Sequence, residues 1–239
     1  MPTYVRDTTR RFQQRPHYQP EELDHECETL ITGFLKNLYG TVRYPIATED
    51  LKKLIERDAE DLDVYADLSS YGSDVEGVTQ FRTGHKPRVL ISASLTESER
   101  RENRLRTTLT HEYGHLYFHN YLWQMESPHP DLLRRQPDPD KEICKQDTIV
   151  GAAQSDWMEW QAGYVCGAIL MPKSAVVELV REYVEQQRLY GVISEQTPHG
   201  RNVIARVVSA FQVSEDAARL RLLKIKLLTT ASPTHSLFN

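Results

Sequence analysis

His111-Glu112-Tyr113-Gly114-His115 is the stretch on which the reading of this chain turns. It has the form H-E-x-x-H and lies in a run with helical spacing. Residues four apart share one helix face, so both imidazoles point the same way. Two neutral imidazoles so placed can share one Zn2+. Glu112 lies beside them, near enough to take a proton from a zinc-bound water. Leu109, Leu116 and Phe118 flank the motif and point to a buried helix. Buried paired histidines need a reason, and a metal supplies one. The competing reading is a surface helix carrying two solvated histidines.

Catalytic zinc takes three protein ligands and leaves a fourth position to water. His119 continues the i, i+4, i+8 series, but it would lie ~12 Å from His111 along the helix axis. Metal–nitrogen bonds of ~2 Å do not readily close around one ion from both ends of that span. His119 is therefore expected behind the ligands, as a hydrogen-bonding residue. Glu159 is the lone central acid of the largely apolar run from Asp156 to Leu170. Ala162, Gly163, Gly167 and Ala168 would let that helix approach another closely. Spacing leaves two readings of Glu159 open: a third ligand, or an exposed acid near a helix start, favoured by the helix dipole.

Outward from the motif, the helix carrying it should run from about Ser98 to about His119, with Thr96 and Glu99 as a capping box. Three short stretches rich in β-branched and aromatic residues precede it: Val64–Leu68, Val75–Phe81 and Arg88–Ser92. Turn-like sequences separate them, which predicts a small antiparallel sheet of about three strands. Helices are predicted for Glu21–Tyr39, stopped by Gly40, and from Thr48 through Ile55. Beyond the motif, 124–148 holds four prolines among many charges and reads as a surface excursion. Further helices are expected over Asp156–Leu170, Lys173–Tyr190, Asn202–Phe211 and Glu215–Leu228, the last capped by Ser214. The fold class is α+β: a small sheet packed with helices, a zincin-like H-E-x-x-H helix and a helical C-terminal appendage. Its expected divisions are a flexible tail (1–20), a zincin-like domain (21–190) and a helix-turn-helix-like appendage (191–239).

Composition agrees with a globular chain. Of 239 residues, 39% are hydrophobic and 26% charged, enough for a real core. No apolar run approaches the ~20 residues of a membrane span, so no membrane partner is expected. Residues Met1 to Pro20 carry Arg6, Arg10, Arg11 and Arg15 without an apolar segment, unlike a secretory signal. Cys27, Cys144 and Cys166 are sparse and contain no C-x-x-C pair, so neither a disulfide framework nor a structural zinc cluster is expected. The expected compartment is the reducing cytoplasm. A net charge of -5 provides no global reason to bind nucleic acid.

Three stretches together resemble the ImmA/IrrE family of zinc metallopeptidases. The first runs from Arg104 through Thr108-Leu109 to His111-Glu112-Tyr113-Gly114-His115. The second is Glu159-x-x-Ala162 leading into Ile169-Leu170-Met171-Pro172. The third is Phe211-Gln212-Val213-Ser214, continuing through Ala217 to Arg219-Leu220. The likeness covers about Leu51 to Leu228. It implies that His111, His115 and Glu159 bind Zn2+ and that Glu112 is the catalytic base. It also implies a protein substrate, of the kind of a helix-turn-helix transcriptional repressor. This chain departs from the family pattern at Tyr113, in place of leucine, at Gly163, in place of asparagine, at Arg219, one place early, and in the long proline-rich stretch from Asn120 to Trp157.

Tyr164, Tyr117 and His119 are the candidates for stabilising an oxyanion, and the sequence does not rank them. The C-terminal helix pair carries Arg219, Arg221, Lys224 and Lys226 on its second helix, which would suit a phosphate backbone. Ala205, Val208, Phe211, Ala217, Leu220 and Leu223 instead suit packing onto the core, and packing is preferred here. The alternative to an enzyme is a non-catalytic, zinc-stabilised regulator that binds DNA or a protein.

Overall fold

The computed structural model describes residues 2–82, 84–125, 141–145 and 156–231. In chain order its strands and helices are β1 (Thr3–Arg6), β2 (Gln14–His17), α1 (Pro20–Tyr39), α2 (Thr48–Asp58) and β3 (Asp61–Ala66). They continue with β4 (Val75–Gln80), β5 (Arg88–Ser92), α3 (Ala93–Thr96), α4 (Glu102–Met125), β6 (Lys141–Lys145) and α5 (Trp157–Leu170). The last are α6 (Lys173–Gln187), β7 (Ile193–Ser194), α7 (Pro198–Phe211), α8 (Glu215–Lys224) and β8 (Leu228–Thr229).

The architecture is α+β, with a small mixed sheet against helices and a helical C-terminal region. The sheet has four strands in the order β3-β5-β4-β6. Strand β3 pairs parallel with β5, while β4 is antiparallel to both β5 and β6. The expectation of about three antiparallel strands is corrected on both counts. Alternation along a strand shows which face is buried but not which neighbour it takes. Here β5 inserts between β3 and β4, so β3 and β5 end up parallel. The fourth strand lies inside the proline-rich excursion predicted for 124–148, whose first two residues instead end α4 and whose residues 126–140 and 146–148 fall outside the described residues.

The N-terminal residues, expected as a flexible tail, form a hairpin. Strands β1 and β2 pair antiparallel from Thr3↔His17 to Arg6↔Gln14. Asp7 closes the turn: its carboxylate accepts from the backbone N–H of Thr9 (2.9 Å), Arg11 (3.1 Å) and Phe12 (3.0 Å). Phe12 then seats edge-on against Trp123, 4.9 Å away. Each partner is too distant in sequence, or too local in backbone, to show in a hydrophobic pattern.

Helix α1 begins with Pro20, whose missing N–H costs nothing in a first turn, and the Glu22 carboxylate accepts the Gln19 N–H at 2.9 Å. Gly40 ends it in the left-handed conformation (φ 70°). Helix α4 starts later than predicted. Thr96 Oγ1 donates to Val64 O (2.6 Å) rather than capping it, and a short 3-10 turn intervenes.

Helix α4 is central and buried on all sides despite its many polar residues. Such a helix is stable only if each polar group has a partner. Thr107 Oγ1 donates back to Asn103 O (2.7 Å) and Thr110 Oγ1 to Arg106 O (2.8 Å). The buried Arg106 guanidinium donates to Ile46 O (2.9 Å), Phe211 O (3.2 Å) and Gln212 O (2.6 Å). It thereby ties the C-terminal helices to the core. Helix α5 is apolar nearly all round and packs along α4. At the closest approach, a Cβ on Gly114 would lie 3.0 Å from Ala162 Cα. Among the described residues no single helix is long and apolar enough to cross a membrane.

Candidate metal centre

Close packing of α4 on α5 brings Glu159 to the histidine pair. His111 Nε2 and His115 Nε2 are 3.1 Å apart. Glu159 Oε2 lies 3.2 Å from His111 Nε2, and Oε1 lies 3.1 Å from His115 Nε2. The two imidazole nitrogens thus face each other and one oxygen each of the Glu159 carboxylate, all at 3.1–3.2 Å. A tetrahedral ion with bonds of ~2.0–2.1 Å needs ligand separations of ~3.3 Å. Among the described residues this is the cluster with the geometry to hold a metal ion, and all three members are buried.

Unmet polarity makes the same case. Neither Glu159 oxygen has an aligned hydrogen-bond donor among the described residues, and buried His111 Nδ1 has none either. A buried carboxylate left in that state is costly. Burial alone would raise the Glu159 carboxyl, but His115 and His111 outweigh it and hold it well below the ordinary range. Burial lowers His111 in turn, with Glu159 opposing. The cluster thus brings together one carboxylate and two imidazoles, with no Lys or Arg ion pair to Glu159 among the described residues. The residues present fit Zn2+.

Glu112 is fully buried on the β4 side of α4. Thr79 Oγ1 donates to its Oε2 at 2.5 Å. Gly77 makes room for it, since a Cβ there would fall 2.5 Å from Glu112 Oε1. Behind the ligands, His119 Nδ1 lies 3.1 Å from His115 Nδ1, and its Nε2 lies 3.1 Å from Gln161 Oε1. His119 therefore sits behind the cluster, as its spacing implied.

The three oxyanion candidates are engaged elsewhere. Tyr164 O–H donates to Asp24 Oδ2 (3.0 Å) and Tyr117 O–H to Glu26 Oε1 (3.1 Å), while both His119 nitrogens are in the contacts just described. Sequence reasoning missed Thr79, Gly77 and Gln161. Thr79 and Gly77 offer no signal, because they meet Glu112 only through the fold. Gln161 does offer one, as a buried amide in an otherwise apolar helix.

The basic residues of the C-terminal helix pair largely face inward or pair internally. Arg221 is buried, with Nη1 2.7 Å from Asp24 Oδ1 and Nε donating to Met171 O (3.1 Å). Arg219 pairs with Glu195 at 3.1 Å, and Lys224 lies over the Tyr164 ring. Ser214 Oγ caps α8 by accepting the Ala217 N–H (3.2 Å). Comparison with protein-family models finds no match to this chain, and comparison with curated proteins finds none either.

Proposed function

We propose that this protein is a zinc-dependent metallopeptidase acting on a protein substrate. The observation that carries this reading is the His111–His115–Glu159 cluster, with Glu112 adjoining the two histidines on the same helix. Three ligands among the described residues match a catalytic site, which keeps a position open, rather than a closed structural one. The likeness of three sequence stretches to the ImmA/IrrE family supports the same activity and narrows the substrate class to a transcriptional repressor with a helix-turn-helix.

Zinc bound there would lower the pKa of a coordinated water toward ~7 and polarise a scissile carbonyl. Glu112 is assigned as the general base, taking a proton at its carboxylate and delivering it to the leaving amine. Thr79, donating to Glu112 Oε2, orients that carboxylate. His111 and His115 would hold the ion through their imidazoles, and Glu159 would supply the negative charge that complements a divalent ion.

The test is cleavage of helix-turn-helix repressor proteins by zinc-loaded wild type and by Glu112→Gln. The expected result is cleavage by the wild type and its loss in the variant, with zinc content equal in both. Undiminished cleavage by the zinc-loaded variant would sink the assignment of Glu112.

A further inference from the structure

Ligand Glu159 stands in the first turn of α5, and the three residues before it are all held by one distant element. Arg11 Nη2 pairs with Asp156 Oδ2 at 3.2 Å. Trp157 Nε1–H donates to Asp7 Oδ1 at 3.1 Å. Arg11 Nη1 lies 3.4 Å from Met158 Sδ. Asp7 and Arg11 both belong to the turn between β1 and β2. Phe12 of the same turn packs edge-on to the rings of Trp123 and Trp157. Four hairpin-to-helix contacts therefore converge on the residues that aim one carboxylate.

A second connection runs from the hairpin to the other side of the cluster. With Nε2 of His115 given to the metal, the proton of that ring resides on Nδ1. That N–H points at His119 Nδ1, which must then accept it (3.1 Å). His119 consequently carries its own proton on Nε2 and donates to Gln161 Oε1 (3.1 Å). The Gln161 amide in turn donates Nε2–H to Pro16 O in β2 (3.1 Å). Each donor and acceptor in this line is fixed by the one before it. His119 and Gln161 are fully buried, and Trp157 packs edge-on to the His119 ring at 5.4 Å. Groups that orient a ligand histidine through its second nitrogen commonly change metal affinity by ~10–100-fold.

We propose that the N-terminal hairpin is a positioning brace of the metal centre, holding Glu159 through Asp7–Trp157 and Arg11, and His115 through Pro16–Gln161–His119. The proposal rests on the metal-binding reading of His111, His115 and Glu159. It gives a positioning role to residues more than a hundred positions away from α5 in sequence. It also explains why an arginine-rich, proline-bearing N-terminus is ordered at all.

The experiment uses the full chain. Zinc affinity is measured by chelator competition, and the visible absorption of the Co2+-loaded protein reports ligand geometry. The variants are Gln161→Met, Asp7→Ala and His119→Leu, with His119→Gln as a conservative replacement that retains one acceptor and one donor. Ile204→Ala, a buried deletion in α7, controls for general destabilisation. Expected are ~10–100-fold weaker zinc binding in Gln161→Met and His119→Leu, a changed Co2+ spectrum in both, and partial recovery in His119→Gln. Asp7→Ala should weaken zinc binding as well; if it fails to fold, Gln161→Met alone decides. Ile204→Ala should keep both affinity and spectrum. Wild-type affinity and spectrum in Gln161→Met would overturn the brace while leaving the metal site intact. A folded wild type that takes up neither zinc nor Co2+ would instead overturn the metal reading, and the brace with it.

Discussion

Two buried carboxylates, Asp24 on α1 and Glu159 on α5, sit in similar surroundings and are balanced in opposite ways. Asp24 takes the Tyr164 O–H at 3.0 Å and lies 2.7 Å from the buried Arg221 guanidinium. Lys173 stands a little further off, 3.9 Å from it. Glu159 faces two imidazoles at 3.1–3.2 Å and has no aligned donor among the described residues. One acid is balanced by cations that the chain itself supplies. The other has no Lys or Arg partner among the described residues and belongs to a cluster able to hold a metal ion. The difference separates a structural ion pair from a binding site, although both are equally hidden from solvent.

The largest expected effects follow from breaking each cluster in turn. Glu159→Ala or His115→Ala should weaken zinc binding by more than ~100-fold, since changes one step further from the ion already cost ~10–100-fold. Metal per chain after dialysis reads this directly. Arg221→Met should leave zinc content unchanged but strand Asp24 without its main partner. Removing one member of a buried pair costs about 3–5 kcal/mol, visible as a lower denaturation midpoint. The contrast fails if Arg221→Met also empties the metal site, or if Glu159→Ala retains zinc.

The same contrast shows what could be read before the fold was known. The histidine pair was legible because i, i+4 spacing needs only a helix. Glu159 was legible from spacing only as one of two readings, a ligand or an exposed acid at a helix start, and the family resemblance favoured the first. Strand Arg88–Ser92 and the end of α7 at Phe211 were bounded as observed, since β-branched residues and the Gln212-Val213-Ser214 break are local signals. What escaped depends on distant partners. Thr79 and Gly77 reach Glu112 across the sheet, and Gln161 reaches Pro16 across the domain. The hairpin is held by Asp7 and by aromatic contacts with Trp123 and Trp157, none of which leaves a period in the sequence. The parallel pairing of β3 with β5 was hidden for a related reason: strand order is settled by connections, not by alternation.

Middle-sized effects should come from the two glycines that let the site close. Gly114→Val would press Cβ atoms on the α5 backbone at Ala162, where 3.0 Å is already too near. Overpacking of this kind costs about 1–3 kcal/mol, and pushing α5 outward should also carry Glu159 away and weaken zinc binding. Gly77→Ala meets Glu112 instead, at 2.5 Å from Oε1 and 2.9 Å from Cδ. That carboxylate must swing from Thr79, so proteolysis should fall while zinc content holds. Equal loss of zinc in both variants would show that the two glycines serve one packing function rather than two.

A third carboxylate lies between the two extremes and should show the smallest effect. Asp58 Oδ2 accepts the Tyr113 O–H at 2.6 Å and also meets Arg57 Nη2 at 2.6 Å. Burial alone would raise its carboxyl, but Arg57 and Tyr113 outweigh it and hold it below the ordinary 3.8. A carboxyl depressed on folding stabilises the protein above its unfolded value, and that stability is lost as pH falls through the folded one. Asp58→Asn should therefore be less stable than the wild type at neutral pH, and the gap should close below about pH 4. Its side chain is 29% exposed, so the gap should not exceed about 1 kcal/mol. Denaturant unfolding between pH 3 and 7, with chelator present in both proteins, isolates it from metal release. A gap that stays constant down to pH 3 would mean that Asp58 acts through shape and not charge, which would set it apart from both Asp24 and Glu159.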